Sequence, residues 1–137
     1  MRILAVIISL VFCLGCNTAK FAGTNSGQLN GNWIPVMLEI DGRQLPPASF
    51  EKQRLSISDS NYIFVAESVD KGIVKYNDGK MDIYGKEGVN KGKHFSVIYK
   101  LNDKGLTACY NLLGTHYPES FETKGKPMYF MAVFRKE

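Results

Sequence analysis

The residues of this 137-residue sequence with the most distinctive chemistry are three cysteines and two histidines. Neither His94 nor His116 forms a close-spaced set with Cys, Asp or Glu of the kind found in zinc sites. Nucleophile elbows and phosphate-binding glycine loops that lead into a helix are also absent from the sequence. The sequence therefore predicts no metal site, no cofactor and no catalytic residue, and hence no enzyme.

Cys16 ends a segment that has the order of a secretory signal peptide. Arg2 supplies a positive charge, and an uncharged apolar run leads to the small residue Gly15. This run is shorter than the roughly 20 residues that a membrane-spanning helix needs, so we expect residues 1–15 to be cleaved.

The end of this segment, Gly15-Cys16, resembles the bacterial lipobox, in which the cysteine is acylated through its sulfur. The two residues before Gly15, Cys13 and Leu14, depart from the usual lipobox pattern. We predict lipidation at Cys16, which would anchor the protein to a membrane of the bacterial cell envelope, on its periplasmic or surface side. The alternative is an ordinary signal peptide with Cys16 as a plain thiol.

The rest of the sequence divides into a tether and a domain. Residues 16–28 are rich in Asn, Thr, Ser, Gly and Ala, which predicts a flexible tether. Residues 29–137 form the predicted domain, and after signal cleavage and lipidation its one thiol is Cys109. We therefore expect no disulfide within the domain, and we interpret Cys109 as a buried, inert thiol because no His or Lys lies beside it.

Charge gives little indication of a partner and disfavours nucleic acid. The formal net charge is +4 at pH 7, and the lysines are scattered, without the interleaved aromatic residues of a nucleic-acid groove. We interpret them as a solvated surface. The acidic residues Glu67 and Asp70 lie near a predicted turn and are interpreted as surface charges as well.

Eight short runs rich in Val, Ile, Tyr and Phe follow residue 29, separated by Gly, Asn and Asp clusters, and this pattern predicts antiparallel strands. The predicted strands are Trp33–Ile40, Gln53–Ser58, Tyr62–Glu67, Gly72–Tyr76, Met81–Gly85, His94–Leu101, Leu106–Asn111 and Met128–Phe134. Several are joined by tight turns of residues that tolerate positive φ. The sequence thus predicts an all-β, eight-stranded up-and-down barrel, with a β-sandwich as the alternative.

The interior and the ends of such a barrel follow from the apolar positions. The bulky residues expected to point inward are Ile57, Phe64, Ile98, Tyr110, Phe130 and Phe134. Two long connections carry apolar residues that we expect to line the mouth of a cavity: Leu45, Phe50, Leu112, Tyr117 and Phe121. An apolar cavity above about 300 Å³ would favour ligand binding, whereas a filled interior would favour recognition through loops.

Four short motifs occur in an order that resembles a family of small bacterial lipocalin-like lipoprotein domains. They are Gly31-Asn32-Trp33, Asp41-Gly42-Arg43-Gln44-Leu45-Pro46, Cys109-Tyr110 and Pro118-Glu119-Ser120-Phe121. The resemblance covers nearly all of residues 29–136 and implies a lipocalin-like barrel without an established catalytic residue. In lipocalins an arginine near the last strand stacks on the tryptophan of the first motif. The resemblance therefore implies that Gly31, Trp33 and Arg135 are structural, with a Trp33–Arg135 cation–π contact at the closed barrel end.

Together these features predict a lipid-anchored envelope protein whose lipocalin-like domain binds a small ligand, with an apolar compound as the first candidate. The partners expected are the membrane, through the lipid on Cys16, and that ligand or an envelope protein. The alternative is a structural or interaction lipoprotein with a filled barrel, whose loops bind a protein or a glycan.

Overall fold

The computed structural model describes residues 26–137. The predicted signal peptide, Cys16 and the tether up to residue 25 lie outside the described residues. Nine strands are present: β1 (Gly31–Ile40), β2 (Arg43–Gln44), β3 (Arg54–Ser58), β4 (Asn61–Val65), β5 (Val69–Asn77), β6 (Lys80–Glu87), β7 (His94–Asn102), β8 (Gly105–Asn111) and β9 (Tyr129–Lys136). Two short 3₁₀ turns cover Ser26–Leu29 and Pro47–Ser49. Within residues 26–137 no helix is long and apolar enough to cross a membrane.

The sheet closes on itself as an antiparallel barrel of eight strands. Each of β3 to β9 pairs with its neighbour in sequence, and β1 pairs with both β3 and β9. The predicted up-and-down barrel is confirmed, and the sandwich alternative is excluded because β1 joins the two ends of one continuous sheet. The two-residue strand β2 is not among the predicted strands, and it pairs with the end of β1.

The two ends of the barrel differ in how the strands are connected. Tight turns after β3, β5 and β7 lie at one end, and Asp59, Asp78 and Gly79 adopt positive φ in them, as turn chemistry requires. The longer connections β2–β3, β6–β7 and β8–β9 lie at the other end. We call these the closed end and the loop end.

Period-two alternation decides which side chains enter the barrel. Val97 and Tyr99 of β7 belong to the buried core, so Ile98 between them faces outward, opposite Cys109 of β8. The prediction that Ile98 points inward was therefore wrong. The other five predicted interior residues lie in the core or pack against it.

Trp33 fills the closed end. Its ring is 2% exposed, and its indole Nε1 donates a 2.8 Å hydrogen bond to the carbonyl of the buried Leu29. The cation over the ring is Lys136, whose Nζ lies 5.4 Å from the ring centroid. The predicted contact with Arg135 is not formed, because Trp33 pairs directly opposite Lys136 and Arg135 points to the opposite face of the strand.

The β8–β9 connection, residues 112–128, packs against the outer wall of the barrel. Thr123 is fully buried there, and its Oγ1 donates to Glu39 Oε1 (2.6 Å) and accepts from the Gly42 N–H (2.8 Å). The Asn111 amide donates to the His116 carbonyl at 2.9 Å. These bonds hold the long connection along the wall.

Candidate functional site

The barrel contains an apolar cavity of about 220 Å³. Every barrel strand except β1 contributes to its lining, and the apolar side chains that shape it include Phe64, Ile83, Phe95, Leu106, Ala108 and Phe130. The lining also reaches Asn90 and Leu112, which lie in the connections of the loop end. Since Leu112 is 39% exposed, the cavity opens to solvent at that end.

Asp70 is the charged residue in this lining. It is 4% exposed, and its Oδ1 accepts a 2.9 Å hydrogen bond from the Asn90 N–H. The interpretation of Asp70 as a surface charge was therefore wrong, whereas Glu67 is exposed as expected. The error arose because β5 begins at Val69, three residues before the predicted start. Asp70 therefore lies within the strand, on the same inward face as Val74.

Two tyrosines line the cavity together with Asp70. Neither the Tyr62 nor the Tyr110 hydroxyl forms a hydrogen bond to the described residues, and both side chains line the cavity. Burial, and then the negative charge of Asp70, raise the pKa of Tyr62. Burial, followed by Tyr62, raises the pKa of Tyr110 well above its usual range. Both hydroxyls are therefore protonated at neutral pH and can donate or accept a hydrogen bond.

The cavity is small but large enough for a ligand. Its volume lies below the roughly 300 Å³ at which typical ligand pockets begin. An apolar cavity of about 150 Å³ is known to hold benzene, so by proportion this one holds about nine non-hydrogen atoms. A longer molecule would project through the mouth.

One of the five residues predicted at the mouth, Leu112, lines the cavity. Leu45 and Phe50, in the β2–β3 connection, pack against the core and help to cover the loop end. Tyr117 and Phe121 lie on the outer wall, where Lys80 and Lys100 sit over their rings at 5.0 and 4.7 Å. The sequence could not place these two, because their position depends on contacts between the long connection and distant strands.

On the outer wall Tyr117 joins a polar cluster with Asp82 and His94. The Tyr117 hydroxyl donates to Asp82 Oδ2 at 2.5 Å, and His94 Nε2 lies 2.7 Å from Asp82 Oδ1. The His94 ring also stacks on Tyr84, with centroids 4.7 Å apart. The hydrogen bond to Asp82 raises the pKa of Tyr117 to about 12, which makes this hydroxyl a poor nucleophile and base. We interpret the cluster as a clamp that fastens the long connection to β6.

The remaining reactive side chains occupy structural positions. Cys109 is fully buried under the long connection, and burial raises the pKa of its thiol, in keeping with the expected inert cysteine. His116 Nε2 lies 3.1 Å from the Tyr129 hydroxyl. Within the part of the chain that the structure describes, no three His, Cys, Asp or Glu residues are grouped closely enough to hold a metal ion.

Comparison with known proteins gives a relationship at the level of fold. No family model matches the chain, and no curated protein matches it. The crystal structure of an uncharacterized protein from Bacteroides eggerthii matches with a TM-score of 0.53 and 12% sequence identity, over 80% of this chain and 99% of that chain. The chain is therefore similar in fold to this bacterial protein, and at such low identity the similarity concerns the fold alone.

Proposed function

We propose that this domain binds a small, predominantly apolar molecule inside its barrel. The observation that carries the proposal is the open apolar cavity of about 220 Å³ at the loop end. Binding sites of this kind combine apolar walls with a few polar groups that orient the ligand, and here Asp70, Tyr62 and Tyr110 could take that role.

The energetic cost of the cavity supports a role for it. Enclosed, empty apolar volume destabilises a folded protein by about 24 cal/mol per Å³, so 220 Å³ sets an upper limit of about 5 kcal/mol, which the opening at the loop end lowers. This is comparable with the total stability of many small domains. One larger side chain, for example at Ala108, would occupy about a third of the space. A cavity that carries a cost and could be reduced by a single substitution is best explained by use.

The mouth offers an apolar approach to the cavity. Val89 and Leu113, which are 66% and 60% exposed, lie in the two connections that border it. An apolar ligand could contact these side chains before it enters. The same exposed pair favours the alternative function, in which the loop end binds a protein or glycan partner.

We further propose that the domain is held at a bacterial envelope membrane by a lipid on Cys16, and that it is a lipocalin-like lipoprotein. The signal-like segment before Cys16 and the ordered motifs from Gly31 to Phe121 support this proposal. A Cys16→Ser variant should leave the membrane fraction and appear with the soluble protein. A variant that still fractionates with membranes would overturn the anchoring proposal.

Native mass spectrometry of the protein purified from its own host tests the binding proposal. We expect a bound species heavier than the polypeptide by the mass of one small molecule, which is lost on collisional activation. The matched control is an Ala108→Leu variant, in which the added side chain occupies cavity space and the bound species should be depleted. A mass without ligand for the wild-type protein, together with a co-purifying protein, would favour the loop-recognition alternative.

A further inference from the structure

We propose that the cavity selects ligands that carry a positively charged amine on an apolar body, with the amine bound by Asp70. This inference rests on the proposed function and names the chemical class of the ligand. It follows from the one charged residue of the lining and from the aromatic groups around it.

The Asp70 carboxylate has bonding capacity that the protein does not use. Its side chain is buried, and Oδ1 accepts from the Asn90 N–H, but Oδ2 forms no hydrogen bond to residues 26–137. None of the ion pairs among the described residues involves Asp70, and the cavity lining contains no Lys, Arg or His. A buried carboxylate without a counter-charge is unfavourable, so a cation that enters the cavity gains a strong partner.

The surroundings of Asp70 suit an ammonium group better than other cations. A primary ammonium has three N–H donors, and the cavity is lined by three side chains that carry acceptor oxygens, Asp70, Tyr62 and Tyr110. These side chains are neighbours, since the Asp70 charge acts on Tyr62 and Tyr62 acts on Tyr110. The rings of Phe64 and Phe95 also line the cavity, and aromatic faces attract cations. An anionic ligand would meet the Asp70 charge without compensation and is therefore disfavoured.

The desolvation of Asp70 also favours net binding. Formation of a buried ion pair usually requires that both charges lose water, which can cancel the Coulombic gain. Here Asp70 is only 4% exposed in the folded protein, so its carboxylate has already lost most of its contact with solvent. The ligand ammonium therefore contributes the main desolvation cost, and the pair forms at a preorganised acceptor.

The volume of the cavity sets the size of the probes. About nine non-hydrogen atoms fit, and 2-phenylethylamine has this number. Propylbenzene has the same number of atoms with a methyl group in place of the ammonium, so it measures the apolar contribution alone. Phenylacetate carries the opposite charge on a similar body.

The test is to titrate the isotopically labelled wild type and two variants with each probe. The chemical shifts of the backbone amides monitor each titration and give the dissociation constant. Wild type should bind 2-phenylethylamine about tenfold or more tightly than propylbenzene, since a charge-assisted hydrogen bond has this effect, and phenylacetate should bind most weakly. Asp70→Asn keeps an oxygen for the Asn90 N–H, so it should bind propylbenzene as before but lose the preference for the amine. Asp82→Asn removes a carboxylate on the outer wall and should keep that preference.

Each outcome separates this inference from the proposed function. Binding of propylbenzene with equal or weaker binding of the amine would overturn the inference and leave the ligand-binding proposal standing. If none of the probes shifts the amide resonances of the cavity residues, both the inference and the ligand-binding proposal are overturned. If Asp70→Asn does not fold, Tyr110→Phe replaces it, and loss of one acceptor should lower the preference about threefold to tenfold. An unchanged preference in the variant that folds would refute the assigned role of the polar groups.

Discussion

Replacement of Ala108 by leucine tests whether the cavity inside the barrel can accept added side-chain atoms. Ala108 lies on β8, is 1% exposed and lines the cavity between Leu106 and Tyr110. Leucine adds three carbon atoms to this position. If the cavity is empty, the new atoms enter existing space without displacing neighbours. If the barrel is filled, the same atoms overpack it.

The two cases differ in the sign of the stability change. Burial of a methylene-sized group contributes about 0.8 kcal/mol, so three such groups give an upper limit of about 2.4 kcal/mol. Some of this is lost to restricted rotamers, and we expect Ala108→Leu to raise the free energy of unfolding by about 1–2 kcal/mol. Overpacking would instead lower it by about 1–3 kcal/mol.

Ala132→Leu is the matched control. Ala132 lies directly opposite Ala108 on β9 and is fully buried, but it does not line the cavity. The same change there should lower the free energy of unfolding by about 1–3 kcal/mol, because no space receives the added atoms.

Urea denaturation followed by the fluorescence of the single tryptophan, Trp33, measures both variants, with the midpoint compared at unchanged slope. Trp33 suits this assay because it is buried at the closed end, outside the cavity lining. A destabilised Ala108→Leu protein would refute the empty cavity, and with it the structural basis of the proposed function.

Three further predictions concern stability. Tyr76→Phe removes a buried hydroxyl that has no hydrogen-bond partner among the described residues. The free energy of unfolding, measured by urea denaturation, should therefore rise by up to about 1 kcal/mol. A clear fall would show that the hydroxyl has a partner. Folding raises the pKa of Tyr117 from 10.0 to about 12, so between these pH values the folded protein keeps a proton that the unfolded chain loses, and stability should fall as the pH rises from 10 to 12. Tyr117→Phe should lessen this fall. An unchanged pH profile of stability in the variant would argue against the clamp. Gly72→Ala would place a Cβ 2.1 Å from the Tyr84 carbonyl oxygen, so the midpoint of thermal unfolding should fall strongly. Gly27 has open space around it, so Gly27→Ala should leave the midpoint unchanged. Equal effects of the two substitutions would contradict the close approach at Gly72.

The barrel was predictable because its information is local. Period-two alternation and tight turns mark each of the eight long strands, and sequential hairpins leave few ways to arrange them. The two-residue strand β2 has too few residues to show alternation. The assignment of Ile98 to the interior was avoidable, because Phe95, Val97, Tyr99 and Leu101 share one phase of the strand. Ile98 lies at the other phase, with Ser96 and Lys100, and is the one apolar residue there.

The site was harder to predict than the fold. Leu112 was found because an apolar residue at the start of a long connection is a good candidate for a barrel mouth. Asp70 was missed, although its spacing of four residues from Val74 places both on one face of a strand. Gly72 obscures this signal, because a glycine within a run typically marks a turn and the predicted strand therefore starts there. Tyr117 and Phe121 depend on tertiary contacts that no local pattern contains.

The separation of the two barrel ends determines how an anchored domain would face its membrane. The described chain enters at the closed end, where Ser26–Leu29 leads into β1 beside Trp33. With strands of about eight residues on average, tilted by about 40°, the mouth stands roughly 20 Å beyond that end. If Cys16 carries the proposed lipid, the anchored chain joins the domain at the closed end, and the mouth lies at the opposite end of the barrel. An anchored domain would therefore take up its ligand at the end farther from its attachment.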